Sequence, residues 1–144
     1  MKHQVTATVG APPAQVWRLF ADVERWPEMT RSMREVRRID TGPLRVGSEA
    51  IVRQPGLPRA RWRVTEIEPG RSFTWETSAG GVTTAGGHLV EPSGRGSKIT
   101  LTLCLRGPLA AVAGFLLGRR ARRSVSMELE GFRAAAESAS PRTR

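Results

Sequence analysis

Only one cysteine, Cys104, occurs among the 144 residues, and tyrosine is absent altogether. A lone cysteine cannot close an intrachain disulfide or build a multi-cysteine metal site. A reducing, cytoplasmic setting is therefore expected. Histidine is almost as scarce, at His3 and His88 only. These two cannot be argued into one site, and no other ligand cluster is visible, so neither a metal nor a cofactor is expected. Long apolar runs are missing too. The longest, "PLAAVAGFLL" (Pro108 to Leu117), is well short of the roughly 20 residues that span a bilayer. The opening "MKHQVTATVG" has no apolar h-region, so no signal peptide is expected.

What the chain has in excess is arginine. Lysine occurs only at Lys2 and Lys98, yet basic residues number 23 against 13 acidic, for a net charge of +10. The arginines are spread along the chain, without a recognition motif, so nucleic acid is not the expected partner. At 39% hydrophobic and 25% charged the composition is that of an ordinary globular chain. Its length suits one domain, expected over 1–138, with a flexible tail over 139–144.

"HQVTATVG" alternates, placing Val5, Ala7 and Val9 on one side of a half-buried strand. In "APPAQVWRLFADVERWPEM" the prolines open a helix at its first turn, and Val16, Leu19, Phe20 and Val23 repeat at helical spacing. Pro27 is expected to stop that pattern, with Trp26 before it extended. Six strand candidates follow, separated by Gly/Pro turns: Met33 to Asp40, Gly47 to Gln54, Ala60 to Glu68, Arg71 to Thr77, "VTTAGGHLVE", and Ser97 to Arg106. Such spacing predicts an antiparallel meander. A long helix is expected from about Leu109 to Glu137. Its apolar stripe is Leu109, Val112, Ala113, Leu116, Leu117, Ala121, Val125, Leu129, Phe132 and Ala136.

This order of strand, helix, six strands and long helix resembles the helix-grip fold of the SRPBCC superfamily. That superfamily includes START-like and pollen-allergen-like proteins, in which a curved antiparallel sheet of about seven strands wraps a C-terminal helix. "APPAQVWRLFADVERWPEM" is similar to the opening of bacterial polyketide cyclase/dehydrase-like members. "GSEAIVRQPGLPRARWRVTEIEPGRSFTWET" and "HLVEPSGRGSKITLTL" resemble the strands of one branch. The resemblance implies an α+β domain that binds a small hydrophobic, polyketide- or lipid-like molecule between sheet and helix. It brings no reaction-defining motif. Tyrosine, a frequent polar wall group in such pockets, has no counterpart here.

Side-chain parity along the strands selects wall positions. Ile99, Leu101, Leu103 and Leu105 form an aliphatic face that the helix must cover, so Cys104 points away and reads as structural. The same rule turns Val90, His88 and Gly86 inward, together with Phe73 and Trp75, Trp62 and Val64, and Ala50, Val52 and Gln54. Glu76 falls outside, and Glu66 could come in only on a bulged strand. The expected ligand-binding set is thus Gln54, Trp62, Phe73, Trp75 and His88 from the sheet, with Leu116 from the helix. Aromatics with a few polar groups suit a small-molecule pocket, and they equally suit a core. The glycines at 80, 81, 86 and 87 either leave room at a pocket mouth or mark a bulge and a hairpin turn.

Three functions stay open. One is a binding protein. The second is a cyclase or dehydratase with His88 as catalytic proton carrier and Gln54 as a carbonyl hydrogen-bonder. Against it, the inner face offers no obvious carboxylate to orient His88. The third is a surface or interaction protein whose positive charge meets membrane or nucleic acid. Arg119, Arg120, Arg122 and Arg123 fall off the apolar stripe, either as a solvated face or as a contact for anionic membrane headgroups. "SVSMELEGF" then returns acidic residues to the exposed side.

Overall fold

The computed structural model describes residues 1–139. Seven strands form one antiparallel sheet: β1 (Lys2–Val9), β2 (Glu35–Arg38), β3 (Glu49–Arg53), β4 (Ala60–Glu68), β5 (Ser72–Ala79), β6 (Val82–Ser93) and β7 (Gly96–Arg106). Their order across the sheet is β1-β7-β6-β5-β4-β3-β2. Every neighbour except β1 is therefore also next in sequence, which is the expected meander with the first strand closing its far edge. Between β1 and β2 lie α1 (Pro13–Ala21), a 3₁₀ turn at Val23–Arg25 and α2 (Trp26–Met29). The long helix α3 runs Ala110–Ala139. The tail expected over 139–144 lies outside the described residues, apart from Ala139 at the end of α3.

Parity holds through the sheet. Leu101 stands opposite both Val5 and His88, Leu103 opposite His3 and Gly86, and Trp75 opposite Gly86. Val64 stands opposite Trp75 and Ile67 opposite Phe73, three residues apart on β4 against two on β5. A bulge between Val64 and Glu66 absorbs the extra residue. It keeps Ile67 inward and leaves Glu66 exposed, opposite Thr74. The bulge thus does the reverse of bringing Glu66 inside. Gly80 and Gly81 take φ of +60° and +80° between paired Ala79 and Val82, a two-residue hairpin turn that needs positive φ at both places. Gly86 has a different role. A Cβ there would sit 3.4 Å from Trp75 Nε1, in van der Waals contact with the indole that packs over it.

The short helices depart from expectation at Trp26. This residue is helical (φ −56°, ψ −37°) and Pro27 sits in the first turn of α2 rather than after a helix end. Proline costs no hydrogen bond in a first turn. Full burial of the Trp26 ring, with Nε1 donating to the Leu19 carbonyl at 3.0 Å, holds the residue in a conformation its proline disfavours.

The helix α3 packs on β1 and β7 and touches α1, α2 and β6. Its buried row is Ala110, Gly118, Val125, Phe132 and Ala136. The expected stripe is right in its C-terminal half and rotated in its N-terminal half. There Gly114 and Gly118 lie against Met1, with Met1 Sδ 3.5 and 3.4 Å from where their Cβ atoms would be. Small residues let the helix come close to β1, and the large ones, Val112, Phe115 and Leu116, turn outward.

Candidate functional site

His88 sits at the centre of the inner face. Phe73 stacks on it (centroids 4.4 Å, planes 17° apart), and Trp26, Phe20, Trp75 and Phe132 close around it at 4.9 to 6.4 Å. The ring is 5% exposed. Its Nδ1 lies 3.3 Å from the Phe73 carbonyl. A carbonyl can only accept, so the neutral ring carries its proton on Nδ1. Burial pushes the imidazole down to about 4, and the hydrogen bond to Phe73 offsets only part of that. His88 is therefore neutral at pH 7 and wrapped by rings on every side.

The other expected residues divide around this centre. Phe73 and Trp75 are buried and belong to the ring cluster. Trp62 is half-buried, 5.5 Å from Trp75 and at its edge. Its Nε1 is buried without a hydrogen-bond partner, whereas the Trp26 Nε1 is satisfied. Gln54 is half-buried just beyond β3, where its carbonyl accepts from the Leu57 N–H at 3.2 Å. Leu116 does not join them. It is 70% exposed on the outer side of α3, because the close approach of Gly114 and Gly118 to β1 rotates it away.

Sequence reading missed an inward carboxylate. Glu128 lies on the buried side of α3, one turn after Val125 and one before Phe132, and accepts a hydrogen bond from Ser32 Oγ at 3.3 Å. Ser32 Oγ is in turn 3.0 Å from Thr30 Oγ1. Burial drives the Glu128 carboxyl up to about 7, and the Ser32 hydroxyl pulls back only in part. The expected return of acidic residues to the exposed side holds for Glu130 and fails for Glu128. Its spacing from Val125 and Phe132 is the signal that could have found it.

Leu117, Arg120, Ser124 and Glu128 follow at three- and four-residue steps along one edge of α3, away from the Met1 side. This edge is tied at two points. The Arg120 guanidinium donates to the Pro55 carbonyl in the β3–β4 connection, and Glu128 holds Ser32 in the α2–β2 connection. Trp62 on β4 and Gln54 just beyond β3 lie outside β1 and β7, the strands that carry most of the packing with α3.

Two concavities lie elsewhere. One, of about 400 Å³, lies between α1 and the β2–β3 connection, lined by Trp17, Arg18, Asp22, Arg38 and Leu44 among others. The second, of about 340 Å³, lies by the β5–β6 turn and Pro108. None of the residues expected in the site lines either one. Beside the first, burial alone would raise the Asp40 carboxyl. Hydrogen bonds from the Glu49 N–H, Ser48 hydroxyl and Arg38 guanidinium, with the Arg38 charge, outweigh it and hold the group down to about 2. Among the described residues no group of His, Cys, Asp and Glu is placed to hold a metal ion, and no helix is long and apolar enough to cross a membrane.

A seven-stranded antiparallel sheet closed over a long C-terminal helix, with short helices after the first strand, is the helix-grip fold. The chain belongs to the family described as polyketide cyclase/dehydrase and lipid transport, whose family model matches residues 1–137. Similar solved structures agree on the fold. The Zhui aromatase/cyclase from Streptomyces sp. R1128 is 17% identical, with a TM-score of 0.77 over 95% of this chain and 93% of that one. TTHA0849 from Thermus thermophilus is 19% identical, with a TM-score of 0.75 over 97% and 99%. Ara h 8.0201 is 14% identical, with a TM-score of 0.67 over 94% and 98%. No curated protein matches the chain.

Proposed function

We propose that this protein binds a small, largely apolar ring compound between the sheet and α3, at the Trp62 side of the ring cluster rather than at His88. The observation that carries this reading is the Trp62 indole N–H, buried and unpaired at the edge of the aromatic core. A buried donor left without an acceptor costs about 1–3 kcal/mol. A carbonyl or hydroxyl oxygen on a ligand stacked against Trp62 and Trp75 removes that cost. Gln54, four residues along from the Ala50 that pairs with Trp62, is a further polar group for the ligand, and Arg120 on Pro55 holds the adjoining edge of α3 to the β3–β4 connection.

The test is a tryptophan-fluorescence titration with a hydroxylated polycyclic ketone such as 1,8-dihydroxyanthraquinone. Trp62→Phe keeps a ring and removes the N–H, and should weaken binding about 5- to 10-fold, the net worth of one hydrogen bond. His88→Gln should leave affinity within about twofold. Unchanged affinity in Trp62→Phe, or absence of binding to the parent protein, would overturn the assignment.

A second reading is favoured by Glu128. A carboxyl held up to about 7 is poised to exchange a proton at neutral pH, where His88 is not. In a cyclase or dehydratase using the same space, Glu128 takes the proton-carrying role expected of His88. Turnover of a linear poly-β-keto thioester, abolished by Glu128→Gln and retained by His88→Gln, distinguishes this reading from simple binding.

A further inference from the structure

The N-terminal part of α3 carries an apolar surface that the fold leaves uncovered. Phe115 is 89% exposed and Leu116 70%, with Val112, Leu109 and Leu117 at 54, 50 and 48%. Leu109 immediately precedes α3 and the other four lie in its first eight residues, and exposed apolar surface of that kind marks an interaction site. Val112, Phe115, Leu116, Arg119 and Arg123 share the outward face at three- and four-residue steps. The face is thus apolar over its first turns and cationic over the next.

Some surface arginines are paired and others are not: Arg31, Arg34, Arg37, Arg59, Arg63 and Arg95 are exposed without an ion pair among the described residues. Arg25, Arg61, Arg71, Arg106 and Arg133 each pair with a glutamate. Arg119, Arg122 and Arg123 are exposed and make no ion pair among the described residues. No acidic residue stands anywhere between Glu91 and Glu128. Arg120 leans the other way, onto the Pro55 carbonyl, which brings the β3–β4 connection beside the patch with exposed Leu57 and Arg59 at its tip.

We propose that this face docks on an anionic lipid bilayer. Phe115, Leu116 and Val112 enter the headgroup–acyl boundary, and Arg119, Arg122 and Arg123 pair with lipid phosphates. A helix lying in the interface with one apolar and one basic sector is the geometry such surfaces bind. Charge selects this occupant over a second copy of the chain. Two copies joined through the patch would set uncompensated arginines against a segment without a single carboxylate, on a body of net charge +10. An anionic bilayer offers an apolar layer and negative charge at the depths the helix presents them. This docking is independent of any ligand between sheet and helix.

Flotation with phosphatidylglycerol/phosphatidylcholine vesicles, against phosphatidylcholine alone, tests it on the full chain. Binding should require the anionic lipid and fall with salt. Arg119→Gln with Arg123→Gln should weaken it about 25-fold, at about fivefold for each arginine. Phe115→Ser with Leu116→Ser should weaken it at least about tenfold while leaving the melting temperature unchanged, since both side chains already face water. Equal binding to neutral vesicles overturns the proposal. So does an intact response in the Phe115/Leu116 variant, which would leave only nonspecific charge. A concentration-dependent dimer lost in that variant would assign the face to a second copy. Duplex DNA binding without vesicle binding would assign the arginines to nucleic acid.

Discussion

The two halves of α3 solve opposite problems with one helix. From Val125 to Ala136 the large residue faces in: Phe132 is fully buried against Phe20 and Trp26, at 5.3 and 5.2 Å, and Ala136 behind it is also sealed. From Ala110 to Gly118 the small residues face in, and Phe115 and Leu116 face water. Helical periodicity alone treats both halves as one stripe. The difference shows that apolar residues on a helix mark a surface to be covered, while the partner's distance decides which of them is covered. Where β1 comes close, alanine and glycine take the inside and the leucines go out.

The largest effect that sharpens this comparison is truncation of the two phenylalanines. Phe132→Ala should cost about 3–5 kcal/mol in urea denaturation, since it empties the centre of the ring cluster. Phe115→Ala should stay within about 0.5 kcal/mol of the parent. Similar losses from both would break the distinction.

Glycine substitutions come next. A Cβ on Gly131 would run into the Met29 carbonyl, which is backbone and cannot turn aside. Gly131→Ala should therefore destabilise by about 1–3 kcal/mol. A Cβ on Gly114 would meet the Met1 side chain at 3.4 Å, and that side chain can move. Gly114→Ala should be neutral or up to about 1 kcal/mol more stable, from helix propensity. Thermal melts of the two variants should move in opposite directions.

The smallest effect in the parent protein is a cancellation. Glu128 is raised from 4.5 to about 7, so the folded state holds a proton the unfolded state has lost, and its contribution falls as pH rises from about 4.5 to 7. His88 is lowered from 6.5 to about 4, so the unfolded state takes a proton first, and its contribution falls as pH drops from 6.5 to about 4. Between about 4.5 and 6.5 the two slopes oppose each other. Stability should be nearly flat there in the parent. Glu128→Gln should expose the His88 limb, a loss of up to about 3 kcal/mol on acidification to pH 4. His88→Phe should expose the opposite limb. A parent profile already steep between pH 4.5 and 6.5 would contradict the pairing.

Strand parity explains why so much of the sheet was legible. A side chain on a strand has two directions, and the aliphatic set on β7 selects one of them for every strand paired in register. His88, Phe73, Trp75, Trp62, Ala50 and Val52 all took their inward places by that rule. The rule says nothing of what stands opposite. His88 could be read as a wall group facing space, yet Trp26, Phe20 and Phe132 arrive from three helices and fill that space. The bulge on β4 was likewise open, and only the pairing of Ile67 with Phe73 shows that it turns Glu66 out.

The sequence by itself determined the element order, the antiparallel meander, the inward face of the sheet and the family, because periods of 2 and 3.6 residues and turn glycines are written locally. Tertiary structure alone decided that His88 is sealed and neutral, that Glu128 faces in, that the Trp62 N–H is left without a partner, and that Phe115 and Leu116 face out. Each depends on the distance between elements remote in sequence, and close packing turns a shift of one side chain's width into a buried or an exposed residue.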